Sequence, residues 1–233
     1  MPIRTSDIFS DPTLNLRAEV NPFLSKLIDG QTNGDLPVIY GPALKPYKDR
    51  WMQAFPSLKG RQLILEIGSH TGKVITEMAE NHPEINFVGM DITFKRVVLT
   101  AQKAKNKKLE NMISILANAK GMKDLFGDQE LDGIVVFFPD PWEKKKKQHK
   151  NRLINKEFCE NILEQLKPGG FLWFKTDHRG YFDEASEFIF NSGFLADKPL
   201  DGITTETYQS IFEKMFEEKK QGYHEGIWRK PTR

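Results

Sequence analysis

The chain has 233 residues, enough for one α/β domain with a short appendage. Its 39% hydrophobic and 28% charged residues are typical of a globular protein in water, and no apolar run has the length of a membrane span. The first residues lack the apolar segment of a signal peptide, and the single cysteine excludes an intrachain disulfide. We therefore expect a cytoplasmic protein that makes no membrane contact.

Positive charge is concentrated in one segment. Residues 144–152 hold six of the 34 Lys and Arg residues and no acidic residue, so the rest of the chain has 28 basic residues against 32 acidic ones. A mildly acidic protein with one basic strip is expected to make a directed contact with a polyanion. The alternative is a charge run on a solvated loop.

The residues that precede the first predicted strand form two segments with different sequence patterns. Residues 1–45 have scattered Pro, Asn, Asp and Gly with weak periodicity, and we interpret them as an irregular N-terminal extension to a domain that covers 46–233. Tyr47, Trp51 and Phe55 are spaced by four, which predicts a helix that packs on the core.

From residue 62 onward, short apolar runs alternate with helical patterns, which predicts βαβ units and a parallel sheet. The predicted strands are residues 62–67, 86–90, 112–116, 134–138, 171–175, 194–196 and 223–228. The predicted helices contain Val74 to Ala79, cover about 94–106, contain Phe158 to Leu166, and cover 181–191 and about 206–220. Cys159 lies in one of these helices and is predicted to be a small core residue rather than a nucleophile.

A glycine-containing turn follows the first of these strands, where an open α/β sheet binds a nucleotide-like ligand. The string is Glu66-Ile67-Gly68-Ser69-His70-Thr71-Gly72-Lys73. Three residues separate its glycines and Val74 follows the lysine, which excludes a P-loop, and a G-x-G-x-x-G dinucleotide fingerprint is incomplete. The string resembles the first motif of class I S-adenosylmethionine-dependent methyltransferases, E/D-x-G-x-G-x-G, with His70 at the middle glycine. Histidine tolerates the left-handed conformation that such a turn requires.

Two polar residues follow the next two strands. Asp91 lies 25 residues after Glu66 and is placed to accept hydrogen bonds from ribose hydroxyls, or to cap the helix that follows. Asn118 follows the third strand, where its amide can meet an adenine edge or serve as a turn residue.

Asp140 follows the fourth strand and lies between Pro139 and Pro141. The prolines stiffen the corner, and a stiff corner can hold a carboxylate in the geometry that a reaction needs. The alternative is a plain turn, and the expected position beside a bound ligand favours the functional interpretation.

The strongest resemblance lies in this segment. Phe137-Phe138-Pro139-Asp140-Pro141-Trp142 followed by basic residues resembles the signature of the bacterial tRNA (guanine-N7-)-methyltransferases, the TrmB family. The similarity continues through Asn151-Arg152-Leu153, Lys175-Thr176-Asp177 and Gly226-Ile227-Trp228, and covers about residues 60–230.

The resemblance implies a Rossmann-like class I methyltransferase fold, with a seven-stranded, mostly parallel sheet and helices on both faces. It implies methyl transfer from S-adenosylmethionine to N7 of a tRNA guanine, expected at position 46 of the variable loop, with S-adenosylhomocysteine as the second product. The expected partner is tRNA, with no metal, and the protein is expected to be a monomer or a homodimer.

The resemblance also implies roles for individual residues. Asp140 matches the catalytic aspartate. The cofactor contacts that it implies are Glu66, Gly68, Ser69, His70, Gly72, Asp91, Ile92, Asn118, Ala119 and Asp140. The substrate contacts are Lys144, Asp177, Thr205 and Tyr208. The expected tRNA phosphate contacts are Lys145, Lys146, Lys147, His149, Lys150 and Arg152.

The family's last substrate motif, T-x-x-E, is matched incompletely. An alignment on Tyr208 and Phe212 places Glu206 at the threonine and Gln209 at the glutamate. An alignment on Thr205 places Tyr208 at the glutamate. In either alignment a carboxylate is missing.

Three alternatives stay open. One is a class I methyltransferase with another substrate. The second is a tRNA-binding protein on a catalytically decayed methyltransferase fold, suggested by His70 and the incomplete T-x-x-E motif. A nicotinamide dehydrogenase is the third, and it lacks the full glycine fingerprint.

Overall fold

The structure, a computed structural model, describes residues 21–55, 62–143, 146–197, 203 and 208–232, with the backbone alone at Lys146 and Lys147. The chain divides into two units, Met1–Leu125 and Phe126–Arg233. The elements of the first unit are, in chain order, α1 (Pro22–Asn33), β1 (Val38–Tyr40), β2 (Leu63–Ile67), α2 (Lys73–Asn81), β3 (Asn86–Asp91), α3 (Phe94–Asn106), β4 (Met112–Leu116) and α4 (Met122–Leu125).

The strands of the first unit lie in the order β1-β4-β3-β2, and every neighbouring pair is parallel. Every residue of β2, β3 and β4 is buried. Parallel strands that are covered on both faces are mostly apolar, and here a polar Ser114 lies in the middle of β4 while the charged residues Glu66 and Asp91 lie near strand ends. The predicted strands at 62–67, 86–90 and 112–116 are confirmed to within one residue.

The described part of the N-terminal segment is not irregular, and that prediction was wrong for residues 21–45. The side chain of Asn21 accepts hydrogen bonds from the N–H groups of Phe23 and Leu24, Pro22 occupies the first turn of α1, and Gly34 ends the helix at φ 70°. Strand β1 then pairs with β4 and gives the described residues eight strands, one more than predicted. Helix α1 and strand β1 are held on this unit because their apolar side chains form one cluster with those of α3 and β4.

The helix predicted through Tyr47, Trp51 and Phe55 is replaced by two 3₁₀ helices, Gly41–Tyr47 and Trp51–Ala54. A positive φ of 62° at Asp49 separates them, so the backbone cannot continue as one helix. The packing expectation holds, because Trp51 and Phe55 are fully buried and the Tyr47 ring stacks on Trp51 at 5.5 Å.

The elements of the second unit are β5 (Leu131–Phe137), α5 (Lys156–Gln165), β6 (Leu166–Thr176), α6 (Arg179–Asn191), β7 (Leu195–Asp197), α7 (Ile211–Glu218) and β8 (His224–Arg229). The strands lie in the order β5-β6-β8-β7, with β5 and β6 parallel and the other two pairs antiparallel. Cys159 lies on the buried face of α5, where burial raises the pKa of its thiol to about 12, which confirms its assignment to the core.

One buried side chain joins the end of α2 to the start of β3. The Asn111 amide nitrogen donates to the carbonyl oxygens of Ala79 (2.9 Å), His82 (3.0 Å) and Ile85 (2.8 Å). These carbonyls lie at a helix end and in the loop that follows, where backbone carbonyls often need a side-chain donor, and the His82 carbonyl also accepts from the Ile85 N–H at 3.0 Å.

Replacing Asn111 with Asp is expected to lower the free energy of unfolding by about 3 kcal/mol, because the donors are lost and a carboxylate faces three carbonyl oxygens. Urea unfolding at pH 7 measures the change. Asn106→Asp, on the exposed end of α3, is the matched control and is expected to change stability by no more than about 0.5 kcal/mol. Equal losses in the two variants would contradict this role for Asn111.

Candidate active site

The turn between β2 and α2 is held by the neighbouring strand. The N–H groups of Gly68 and Ser69 donate to the carbonyl oxygen of Met90 at 2.8 and 3.1 Å. Gly68 has φ 81°, and a Cβ added there would meet no atom within 4 Å, so open space lies beside this backbone. Gly72 has φ 69°, and a Cβ there would meet the Thr100 side chain at 2.7 Å. The first glycine leaves room for a ligand, whereas the second allows α2 and α3 to pack closely.

His70 adopts the left-handed conformation expected at the middle position of the turn, with φ 51°. Its backbone N–H donates to Asp91 Oδ2 at 3.2 Å. Burial, with the positive charge of Arg96 next in size, lowers the pKa of the His70 imidazole. The turn therefore keeps its shape without the middle glycine.

Asp91 ends β3 and is buried, and its two carboxylate oxygens have different partners. Oδ1 accepts from the N–H of Thr93 at 2.8 Å, which holds the chain at the start of α3. Oδ2 accepts from His70 and lies 3.6 Å from Arg96. Both predicted roles are compatible with this geometry, because a carboxylate has about four acceptor positions and these contacts use only some of them. Sequence analysis missed Arg96, whose spacing from Asp91 carries no motif.

Glu66 is the most perturbed acid of the first unit. Burial, with repulsion from Asp91 second, raises the pKa of its carboxyl group to about 8, while a backbone hydrogen bond at Ile75 acts in the opposite direction. Among the described residues, three buried oxygens near the turn lack a hydrogen-bond partner: Glu66 Oε2, Ser69 Oγ and Thr71 Oγ1. Unsatisfied buried oxygens are costly, so their concentration at this turn fits a bound ligand that is rich in hydroxyl and amino donors.

The remaining predicted cofactor contacts of the first unit lie after β3 and β4. The N–H of Ala117 donates to the Asp91 carbonyl oxygen at 3.1 Å, which joins the ends of these strands. Asn118 is exposed, and its side-chain oxygen accepts from the N–H of Lys120 at 3.0 Å, so the turn role is observed. This hydrogen bond uses the side-chain oxygen of Asn118 and leaves its amide nitrogen available to a ligand. Ala119 is buried, whereas Ile92 is an apolar side chain that is 60% exposed directly after Asp91.

In the second unit, the chain turns sharply after β5. Phe138 has φ 53°, and its N–H donates to the carbonyl oxygen of Lys175 at 2.8 Å. Its ring lies 5.3–5.9 Å from those of Phe212, Phe216 and Tyr223. This packing compensates for a backbone conformation that bulky residues rarely adopt.

Asp140, the predicted catalytic residue, is exposed at this corner. Its Oδ1 accepts from the N–H of Trp142 at 2.8 Å, which forms a tight turn around Pro141. The hydrogen bond orients the carboxylate, and its exposure leaves the second oxygen accessible.

Asp177, predicted to contact the substrate, follows β6 and is half-buried. Its Oδ2 accepts from Gln221 Nε2 at 3.5 Å, a long contact. Two residues earlier, Lys175 is buried and its ammonium group lies 2.8 Å from Glu213 Oε1 and 3.5 Å from Glu225 Oε1. This ion pair joins the end of β6 to α7.

A buried carboxylate, Glu213, lies four residues after Gln209, one of the positions at which the substrate motif lacks its glutamate. Ser210 and Glu213 form a capping box at the start of α7, in which Ser210 Oγ accepts from the Glu213 N–H at 3.0 Å and Glu213 Oε2 from the Ser210 N–H at 2.6 Å. The S-x-x-E pattern of this capping box was the sequence signal for the start of α7, and the T-x-x-E substrate motif stays incompletely matched. Tyr208, proposed from the other alignment, is buried against Trp173, and Thr205 lies outside the described residues.

The basic strip is described only in part. Lys144 and Lys145 lie outside the described residues, as do the side chains of Lys146 and Lys147. His149 is half-buried, and Lys150 is exposed. The prediction that Arg152 contacts phosphate was wrong, because Arg152 is 4% exposed. Its guanidinium donates to the Pro141 carbonyl oxygen at 2.7 Å and to Glu184 Oε2 at 2.5 Å, and lies over the Tyr181 ring at 4.8 Å.

The described residues contain no group of His, Cys, Asp and Glu side chains that is able to hold a metal ion. Within the same part of the chain, no helix is long and apolar enough to cross a membrane.

Comparison with solved structures places the fold. A structure titled "Structure of an Antibiotic Related Methyltransferase" is 21% identical, with a TM-score of 0.52 over 78% of this chain and 91% of that one. The 16S rRNA methyltransferase KamB is 14% identical, with a TM-score of 0.55 over 76% of this chain and 92% of that one. The class I methyltransferase fold, with a mostly parallel sheet and helices on both faces, is thereby confirmed, and the strand count of seven is corrected.

Comparison with known sequences is more specific. The family described as "Putative methyltransferase" matches residues 60–228. A bifunctional glycosyltransferase/methyltransferase of Fusobacterium nucleatum is 33% identical over 63% of this chain, which spans 22% of that protein. The tRNA (guanine-N(7)-)-methyltransferase of Limosilactobacillus fermentum is 34% identical over 70% of this chain and 73% of that protein. The enzyme of that name from Clostridium tetani is 31% identical over 72% and 77%. This chain therefore belongs to the tRNA (guanine-N(7)-)-methyltransferase family.

Proposed function

We propose that this protein transfers the methyl group of S-adenosylmethionine to N7 of a guanine in tRNA, at position 46 of the variable loop, and releases S-adenosylhomocysteine. The observation that carries the proposal is the rigid corner after β5, which presents the Asp140 carboxylate directly before a basic strip, in a chain of this family. A corner of this kind suits a reaction that depends on alignment.

The cofactor is proposed to bind at the turn after β2. Asp91, at the end of β3, is positioned to accept from ribose hydroxyls, and Glu66 Oε2, Ser69 Oγ and Thr71 Oγ1 are available to its polar groups. Asn118 is proposed to meet the adenine edge through its free amide nitrogen. When bound, S-adenosylmethionine supplies an activated methyl group on a positively charged sulfur.

The nucleophile needs no activation by the protein. Guanine N7 has an in-plane lone pair and carries no proton, so no general base is required to create it. The protein must hold the base in line with the methyl group and exclude water, and alignment supplies much of the rate.

Asp140 and Asp177 are proposed to divide two further tasks. A carboxylate near the purine stabilises the positive charge that arrives there with the methyl group. A carboxylate can also accept from guanine N1–H and the exocyclic amine, which selects guanine over adenine. Lys175 and Ser210 already engage both oxygens of Glu213, so its first role is to hold the start of α7 beside the end of β6.

The basic strip, from Lys144 to Lys150, is proposed to bind tRNA phosphates, with the target base extruded from the tRNA core. Arg152 is not part of this contact, because it is buried. The proposed partner is tRNA alone, without a metal or a membrane. We propose a cytoplasmic monomer or homodimer, in which α1 and β1 complete the methyltransferase domain predicted for residues 46–233.

The alternative of a catalytically decayed fold loses one of its two motives. His70 adopts the conformation that the turn requires, so the missing middle glycine does not disrupt the turn. An active enzyme is therefore the better explanation of the site.

Incubation of the protein with unmodified tRNA and labelled S-adenosylmethionine is expected to yield N7-methylguanosine on nucleoside mapping. Asp140→Ala and Asp177→Ala are each expected to lower kcat/KM by about 100-fold or more while the fold is kept, because each removes a preorganised charge. Asp183→Ala, on the exposed face of α6, is the control that should keep full activity. A different methylated nucleoside would overturn the substrate assignment, and wild-type turnover by either variant would remove that residue from the mechanism.

Replacing Lys145, Lys146 and Lys147 together with Ala is expected to weaken tRNA binding and to lower the slope of log K against log salt by about 2. The control variant replaces Lys105, Lys107 and Lys108, which removes the same charge from the end of α3, and its slope should change little. Filter binding between about 50 and 300 mM KCl, where phosphate contacts weaken, measures both slopes. Equal slopes in the two variants would show a general charge effect and contradict a directed contact.

Glu66→Gln is expected to raise the free energy of unfolding of the ligand-free protein at pH 8 by several kcal/mol, about 3–5, and to change it little at pH 4.5. Burial raises the pKa of Glu66 to about 8 in the folded protein, so between its ordinary value and 8 the unfolded chain ionises first. Stability therefore falls as the pH rises through this window, and glutamine removes that loss. Melting temperatures across the window test the difference, and parallel curves for the two proteins would contradict it.

A further inference from the structure

Trp142 is exposed at the corner that carries Asp140. Its side chain is 37% exposed, whereas Trp51, Trp173 and Trp228 are buried. A large aromatic side chain in water at a conformationally fixed loop is a common feature of binding surfaces.

The backbone at this loop is held in an unfavourable conformation. Trp142 has φ 47° and Phe138 has φ 53°, so two bulky left-handed residues flank the segment Pro139–Pro141. Each such residue is energetically unfavourable and persists only where the surroundings impose it. Strain of this kind is concentrated at functional sites.

The surroundings hold the residues on both sides of Trp142. The Pro141 carbonyl oxygen accepts from Arg152 Nε at 2.7 Å, and Arg152 is itself fixed by Glu184. On the other side, Glu143 Oε2 lies 2.9 Å from His178 Nε2. The backbone between these two anchors is fixed while the indole itself stays exposed.

The proton on His178 can be placed from its other contact. His178 Nδ1 accepts from the Tyr181 N–H at 2.9 Å as the N-cap of α6. Nδ1 therefore carries no proton, and Nε2 donates to Glu143. The contact joins this loop to the start of α6 at the surface, whereas the contact made by Arg152 is buried.

The indole and the carboxylate belong to one turn, because the Trp142 N–H donates to Asp140 Oδ1 at 2.8 Å. A base that meets the Asp140 carboxylate therefore lies beside the turn that carries the exposed indole of Trp142. Aromatic side chains bind extruded bases by stacking.

The proposed reaction changes the charge of that base. The N7 lone pair forms a bond to the methyl carbon, the carbon–sulfur bond breaks with its electrons on sulfur, and the positive charge passes from sulfur to the purine. No proton moves. An indole face attracts a cation in addition to stacking on a neutral ring, so its interaction is stronger with the methylated, cationic purine than with guanine.

We propose that Trp142 is a catalytic residue that stacks on the target guanine and stabilises, through the negative face of its indole, the positive charge that develops on the purine. The proposal rests on the proposed N7-methylation and adds to it an aromatic group that acts beside Asp140.

Site-specific incorporation of fluorinated tryptophans at position 142 tests the charge term, because successive fluorines weaken the negative face of the ring while its size changes little. The single-turnover rate of methyl transfer is expected to fall with each added fluorine. Between tryptophan and the tetrafluoro analogue the total loss should be about 2-fold to 30-fold, the range that a cation–π contact supplies. Affinity for unmodified tRNA should change much less.

Two conventional variants complete the test. Trp142→Leu should lower the rate at least as much as tetrafluorination does. The rate of Trp142→Phe should lie between those of the wild-type protein and Trp142→Leu. Phe190→Leu is the control. It alters an exposed aromatic residue elsewhere, on α6, and should keep the wild-type rate.

The outcomes separate the two proposals. A flat rate across the fluorine series, or equal losses in rate and in tRNA affinity, would overturn the role of Trp142 in charge stabilisation. Absence of N7-methylguanosine with the wild-type protein would overturn the proposed function itself. If Trp142→Leu fails to fold, as circular dichroism would show, the fluorine series still decides the question.

Discussion

Parallel strands that are buried on both faces are mostly apolar along their length, so charged side chains that must reach a ligand lie near the strand ends, and the candidate site follows from this constraint. In the first unit β2, β3 and β4 are buried throughout, so the carboxylates of Glu66 and Asp91 occur where two of these strands end. In the second unit Asp140 and Asp177 follow β5 and β6 in the same way. Each polar residue is thus held by a strand that cannot shift register without exposing apolar surface.

The charges that lie inside the protein have a cost, and the structure compensates for it in two ways. The Lys175 ammonium group is buried with Glu213, and three aromatic rings lie within 5.6 Å of it. The pair is complete without a ligand, so it serves the architecture of α7. Among the described residues no ion pair holds Glu66, and burial raises the pKa of its carboxyl group although the charge of Lys103 acts in the opposite direction. A strongly raised pKa at a turn that is expected to bind a ligand is itself a feature of functional sites.

Local sequence patterns predicted the elements that have strong periodicity. The limits of α3 and β4 agree with those predicted, because each has a continuous apolar face. Strand β1 was missed, since three residues are too few to show a period, although Asn21-Pro22 and Gly34 mark the limits of α1. The carboxylates at strand ends were also predictable, because a strand followed by an acidic residue is a local pattern. The partners that fix them were not, since Lys175 and Glu213 are 38 residues apart and their contact depends on the tertiary fold.

Arg152 shows the same limit within a single charge run. It ends a basic strip, and nothing in the strip distinguishes it from Lys150, yet Lys150 is exposed and Arg152 is buried. The difference is made by Glu184, 32 residues further on, and by the Tyr181 ring, which together give a planar guanidinium two kinds of contact that an ammonium group makes less well. Because its remaining hydrogen bond goes to the Pro141 carbonyl oxygen, the same burial that removes Arg152 from the tRNA surface fixes the turn between Asp140 and Trp142. The strained backbone of that turn and the buried arginine are therefore parts of one arrangement, in which a core contact sets the position of two exposed side chains.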